Sequence, residues 1–317
     1  MKNILFATTA LVATAGIASA DLAISGYAEI GLSDNNTAAG QGWQFHQDVE
    51  VTFTMSGETD TGLSFGTSVQ LDEGGTTGAG TDTADDDGYA VFVSGGFGTV
   101  TMGDTDGAFD WAMIETNVTG GSIADDETLH SGFTGNAGLD GTEDGQVLRW
   151  NYSMGAIGIA ASLEQDGDNA ANTNDDATGF GLTYALDAGG TTISFGVGMQ
   201  DASATSDITG FSVKAAMDNG LTLAANMSDQ TTSATTSVDR VGFGLGYTMD
   251  ALSVGINWGE ATTKTTGAAD AVADGMGLAV NYDLGSGAVA QFGYGNGKAT
   301  AAAASVTTMS AGLALSF

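Results

Sequence analysis

Carboxylates dominate the chemistry open to this sequence. Between Thr105 and Gln146 stand Asp106, Asp110, Glu115, Asp125, Asp126, Glu127, Asp140, Glu143 and Asp144, with no Lys or Arg among them. Gathered in a narrow, weakly screened space, such side chains favour cations by direct electrostatics. The same stretch carries Phe109, Trp111, Met113, Ile114, Leu129 and Phe133. A plain solvated loop has no need of them, so they imply that the segment packs on something. A connection this long is expected to be functional or disordered.

Other chemistries find little support. Acidic clusters invite calcium, which takes several oxygen ligands. The candidates are Asp125, Asp126 and Glu127 together, then Asp72-Glu73, Asp85-Asp86-Asp87 and Asp175-Asp176, none with EF-hand spacing. Only two histidines are present, His46 and His130. Neither lies in a nucleophile-elbow setting, so a Ser/His hydrolase is not expected. The run Gly95-Gly96-Phe97-Gly98 is a lone glycine-rich turn without a following helix, not a phosphate loop. Without cysteine, thiol chemistry, disulfides and Cys-ligated metals are excluded, and zinc lacks ligands. The chain reads as no enzyme, with no cofactor required.

Composition narrows the partners. Asp and Glu number 39 against 6 Lys and Arg, a formal net charge of −33. Such a chain repels nucleic acid. Disorder is the usual alternative for a strongly charged sequence, but 42% hydrophobic residues is too many for that. Lys2 precedes an apolar run from Ile4 to Ile17, which ends in Ala18-Ser19-Ala20. That pattern predicts a secretion signal over residues 1–20, cut between Ala20 and Asp21, and a single domain over 21–317. The run is too short for a membrane-spanning helix.

The elements that must position the carboxylates are strands. From Trp43 to Ser56 the odd positions are Trp43, Phe45, Gln47, Val49, Val51, Phe53 and Met55, while the even ones are polar. Alternation with period two places one set on each face of a sheet. The pattern recurs from Leu22, Leu63, Phe180, Ile193, Phe211, Leu221, Val241, Leu252, Met276 and Ala288, and last from Thr307 to Phe317. Glu29, His46, Asp48, Glu50, Glu164, Lys214 and Asp283 all take the polar parity. Tight turns are expected at Glu58–Gly62, Gly95–Gly98, Gly155-Ala156, Asp187–Gly190, Asp218–Gly220, Asp250-Ala251 and Gly285–Gly287. Long polar connections lie between them, including Asp72–Asp87, Asp166–Ala177 and Gly259–Asp274. Short turns on one side and long loops on the other are the habit of outer-membrane barrels. The count gives an all-β, closed antiparallel transmembrane β-barrel of 16 strands, because an open edge in lipid would leave backbone groups unsatisfied. Trp43, Trp150 and Trp258 fall on the apolar parity, towards the expected outer ends of strands, as an aromatic girdle would.

The chain resembles the general porins of Gram-negative bacteria, in particular the alphaproteobacterial, Rhodobacter-type branch. The matching runs are Phe53–Gly66 (FTMSGETDTGLSFG), Val91–Asp104 (VFVSGGFGTVTMGD), Arg149–Ser153 (RWNYS), Asn281–Ala288 (NYDLGSGA) and the terminal Leu313–Phe317 (LALSF). The first two are specific, and the likeness is densest over the first half. It implies a homotrimer in the outer membrane, surrounded by lipid and lipopolysaccharide, that passes small hydrophilic solutes and ions by passive diffusion. It also implies that the third long loop folds inward and narrows the pore, which would make Asp106, Asp110, Glu115, Asp125, Asp126 and Glu127 the constriction. Related porins oppose such a loop with basic residues on the wall. Arg149 stands where a wall arginine is expected, and Lys214 and Arg240 are further inward candidates. On the second strand, however, this chain has His46, Asp48 and Glu50. A cation-selective pore with a weakened basic side is the expectation. A substrate-selective channel, or a closed-lumen barrel acting as adhesin or receptor, is the alternative.

Overall fold

The computed structural model describes residues 21–34, 42–75, 88–141, 145–165, 176–203, 206–298 and 303–317. The expected signal, residues 1–20, and the candidate carboxylates Asp85, Asp86, Asp87, Glu143, Asp144 and Asp175 lie outside the described residues. Sixteen strands form one sheet: β1 (Asp21–Asp34), β2 (Gln44–Glu58), β3 (Ser64–Gly75), β4 (Tyr89–Gly95), β5 (Gly98–Gly103), β6 (Val147–Met154), β7 (Ile157–Glu164) and β8 (Ala177–Asp187). The second half comprises β9 (Thr191–Ser203), β10 (Ser206–Met217), β11 (Leu221–Ser233), β12 (Thr236–Met249), β13 (Leu252–Thr265), β14 (Ala271–Gly285), β15 (Ala288–Gly297) and β16 (Val306–Ser316). One short helix, α1 (Ala108–Ala112), lies between β5 and β6.

Each strand pairs antiparallel with its chain neighbours, and β1 pairs with β16 to close the barrel. Tyr27 lies opposite Ser316 and Asp34 opposite Met309 at that seam. Gly26 and Phe317 exchange main-chain bonds of 3.3 and 2.9 Å, so the C-terminal phenylalanine belongs to the closure. Among the described strands no sheet edge is left for lipid to meet.

The alternation read from the sequence fixes which way each face turns. On β2, Phe45 is 86% exposed on the outside, while His46 and Glu50 are buried inside. An apolar exterior over a polar interior inverts the soluble pattern, and lipid is the solvent that makes it stable. All seven expected tight turns occur where the sequence placed them. Two of them need left-handed backbone at residues other than glycine, Asp250 (φ 51°) and Ser286 (φ 55°).

The long connections differ from expectation in places. The stretch from Gly259 to Asp274 is mostly strand, since β13 continues to Thr265 and β14 begins at Ala271. Its threonines suit an extended ladder, and Thr262 pairs with Val272 and Thr263 with Ala271. Likewise β11 ends at Ser233 and β12 starts at Thr236, so long and short connections do not strictly alternate. The tryptophans do not form one outer ring either. Trp43 lies beside the long-connection end of β2, but Trp150 donates to the Phe97 carbonyl of a tight turn, and Trp258 stacks on Phe243 in mid-strand.

Candidate lumen constriction

The segment between β5 and β6 lies inside the barrel, against the inner wall. Its apolar side chains explain why. Phe109, Met113 and Leu139 of the loop pack with Ala177, Ala202 and Ile208 of the wall, forming a buried apolar cluster. Burying a side chain the size of Phe109 stabilises docking by about 1.5–3 kcal/mol. Leu129 takes no part, being 59% exposed. The wall accepts the loop's backbone because glycine occupies inward positions beneath it. A Cβ at Gly196 would collide with the Ala112 carbonyl, and one at Gly277 with the Glu127 carbonyl.

Hydrogen bonds from neutral wall side chains fix the loop's course. The Ala108 N–H donates to Ser162 Oγ at 2.9 Å, and the Ile114 N–H to Ser212 Oγ at 2.9 Å. Amides on four strands do the rest. Asn226 donates to the Ile114 carbonyl at 3.2 Å, Asn257 to the Glu127 carbonyl at 3.0 Å, and Asn281 to the Thr119 carbonyl at 3.0 Å. Gln200 accepts from the Leu139 N–H at 2.8 Å and donates to Asp140 at 2.7 Å. At the return limb, buried Glu164 accepts from the Gly141 and Gly145 N–H groups.

These anchors were not singled out from the sequence, although a signal was present. Ala225-Asn226-Met227, Ile256-Asn257-Trp258 and Val280-Asn281-Tyr282 each set an inward amide between two outward apolar residues. An amide that satisfies a buried loop carbonyl avoids the cost of an unpaired polar group.

The expected constriction carboxylates divide into two sets. Asp106 and Asp125 are exposed to the lumen, and Asp110 and Glu115 are half-buried. Asp126 and Glu127 are 1% exposed: the Asp126 carboxylate lies against the wall at Gly293, Thr308 and Ser310, and Glu127 turns into the loop itself. Ser122 Oγ donates to Glu127 Oε2 at 2.7 Å, and Asn117 donates to Oε1 at 3.0 Å. Burial pushes Asp110 up to about 8, aided by the charges of Asp106, Glu115 and Asp140. Burial likewise lifts Glu115 to about 7 and Glu127 to about 7, and it raises Asp126 and Asp140. The hydroxyl and amide bonds to Glu127 and Asp126 favour their charged forms, but desolvation outweighs them.

On the facing wall, the structure assembles acid where a basic side would create a transverse field. Carboxylate oxygens of Asp48, Glu50 and Asp72 all lie within 4.8 Å of one another. Asp72 joins through the β2–β3 register, in which it stands opposite Glu50. Gln70 donates to Glu50 at 3.1 Å. His46 Nε2 sits 2.9 Å from Glu29 Oε2, and Tyr27 donates to the other oxygen of Glu29 at 2.7 Å. Glu29 and Tyr27 are thus wall residues that the expected site left out. Arg149 donates to the Asp106 carbonyl at 2.6 Å, at the loop's root. Arg240 donates to Gln230 at 2.8 Å, and Lys214 lies on the inward parity of β10 towards its tight-turn end. The three cations stand on β6, β10 and β12 and make no single cluster. For calcium, Asp125, Asp126 and Glu127 are not, among the described residues, a group of three converging ligand atoms: Asp125 is exposed, Asp126 lies against β15 and β16, and Glu127 is bonded within the loop.

Comparison with known proteins gives concordant results. The family model described as Gram-negative porin matches residues 7–302. A porin of Rhodobacter capsulatus is 34% identical over 188 residues, which is 59% of this chain and 58% of the relative's own length. The matched stretch therefore spans less than two thirds of that relative. Among solved structures, a porin refined at 1.8 Å resolution superposes with a TM-score of 0.67 at 27% identity, over 94% of this chain and 100% of that one. A triple mutant of the Rhodopseudomonas blastica porin superposes with a TM-score of 0.69 over the same shares, and at 18% identity that likeness is one of fold.

Proposed function

This chain belongs to the Gram-negative porin family, and from that premise we propose that it forms a water-filled channel in the outer membrane. Small hydrophilic solutes and ions diffuse through it passively, with cations favoured over anions. One observation carries the selectivity: an acidic loop inside a closed barrel faces a wall where Asp48, Glu50 and Asp72 gather. Both sides then hold the same sign of potential, which raises the local cation concentration and opposes anion entry. Arg149 does not restore a basic side, because it serves the loop's root.

The signal over residues 1–20 directs export and is removed between Ala20 and Asp21, and the channel works as a homotrimer among lipid and lipopolysaccharide. Calcium enters the lumen as a permeant ion and is not required for conduction. The chain performs no catalysis.

The test is the reversal potential of the purified protein in a planar bilayer under a potassium chloride gradient. Stepwise conductance with a cation-selective potential is expected. Anion selectivity would overturn the electrostatic account, and the absence of current from folded protein would favour a closed-lumen barrel.

A further inference from the structure

Two main-chain carbonyls of the loop, those of Glu127 and Ser131, bracket a hydrogen-bonded relay through Asn257 and His130. Asn257 spans from β13 to the loop, and its Nδ2 donates to the Glu127 carbonyl at 3.0 Å. A main-chain carbonyl can only accept, so the amide is held with Oδ1 on the other side. That oxygen faces His130 Nε2 at 2.6 Å. The opposite ring nitrogen, Nδ1, lies 3.0 Å from the Ser131 carbonyl. Both ring nitrogens therefore meet acceptors. Neutral imidazole has one N–H and would set a lone pair against one of these oxygens, whereas imidazolium donates to both. His130 is 6% exposed and its ring meets Phe133 edge-on, so water does not replace a lost partner.

We infer that His130 is a positioning residue that clasps the constriction loop to β13 as an imidazolium, and that its deprotonation releases this part of the loop into the lumen. The inference rests on the channel reading for its consequence, though not for its geometry. The clasp joins three parts of the fold. Glu127, Ser131 and His130 belong to the loop, Asn257 belongs to β13, Gly275 of β14 packs against the imidazole, and Gly297 of β15 lies beneath the His130 Cβ. Around it, Glu127 stands on the same loop, Glu260 on β13 and Asp274 on β14. Lys298, just beyond β15, lies 3.9 Å from Asp274. Imidazole is the side chain whose charge can change between about pH 5 and 8. Glu127 titrates here too, so the histidine must be separated from it by substitution.

The experiment is single-channel recording on the full-length folded protein between pH 5.5 and 8.5, beside its His130→Gln and Glu127→Gln variants. Wild type is expected to show quiet open current at pH 5.5 and a several-fold rise in brief closures by pH 8.5. E127Q should keep that rise, and H130Q should close frequently at every pH. An unchanged closing frequency in wild type, or an H130Q channel as quiet at pH 5.5 as wild type, would overturn the proposal. Imidazole ¹⁵N shifts of the micellar protein at pH 6 give a readout independent of current, with two protonated nitrogens expected at His130. A single protonated nitrogen there would also overturn it. A barrel that conducts nothing yet shows the imidazolium would refute the channel reading and leave the clasp standing.

Discussion

Arg149 on β6 donates from Nη1 to the main-chain carbonyl of Asp106, 2.6 Å away. The two residues are joined through the loop's backbone, and the Asp106 side chain is left to face the lumen. The inward arginine thus serves as a pin at the point where the loop enters the barrel.

Arg149→Gln should therefore act on selectivity and on docking together. Removing its charge beside Asp106, Asp110 and Asp140 is expected to shift the reversal potential further towards cations. Loss of a bond from a charged donor should also lower stability by about 1.5–3 kcal/mol. A parallel thermal melt checks the second effect. A shift towards anions would contradict the assignment.

Asp48 and Glu50 lie on β2, facing the loop, with Asp72 beside them. Asp48→Arg combined with Glu50→Arg would create the basic side that this chain lacks. Cation selectivity is expected to collapse or reverse, while strand register is retained because both positions already lie on the polar inner face. Bilayer recordings under a salt gradient decide the matter, and an unchanged potential would place the selectivity elsewhere.

Selectivity should depend on pH well above the ordinary carboxyl range. Asp110 is pushed up to about 8, and Glu115 and Glu127 to about 7, chiefly by burial. As pH falls from 8.5 to 6 these groups take up protons, so the preference for cations should decline. Docking runs the other way. A raised carboxyl pKa means that the docked loop favours the protonated form, so its contribution is complete at low pH and is lost as pH rises through 7. A reversal potential constant down to pH 5 would refute the first statement.

Gly277→Val should disturb the loop without touching any charge. The new Cβ would fall on the Glu127 carbonyl, which Asn257 already holds. The barrel should still form, since β14 gains a residue suited to strands. Single-channel conductance is expected to change and to fluctuate, whereas heat-modifiable electrophoretic migration should persist.

Chelation offers a contrast. Washing the purified protein with EDTA should leave single-channel conductance unchanged, because the loop is held by Ser162, Ser212, Gln200, Asn226, Asn257 and Asn281. Loss of current that calcium restores would make a bound ion part of the architecture.

What the sequence determined by itself is the barrel. Strand identity and facing follow from local rules, since a period of two in apolar side chains can be satisfied only by a sheet with one wet and one lipid face. Closure then follows from the cost of an unpaired edge. The tight turns were legible for the same reason: Asp250 and Ser286 sit in turns whose backbone is set by immediate neighbours. The carboxylates of the loop were visible too, but not their division into lumen-facing Asp106 and buried Glu127. Only tertiary structure decided that, along with the pairing of His46 with Glu29, the joining of Asp72 to Glu50, and the clasp from Glu127 through Asn257 to His130. The clasp depends on residues 130 positions apart along the chain. Periodicity tells which way a side chain points but not which loop atom waits there. That is fixed only when a closed wall and a docked loop share one enclosed volume, and each buried donor must find its acceptor.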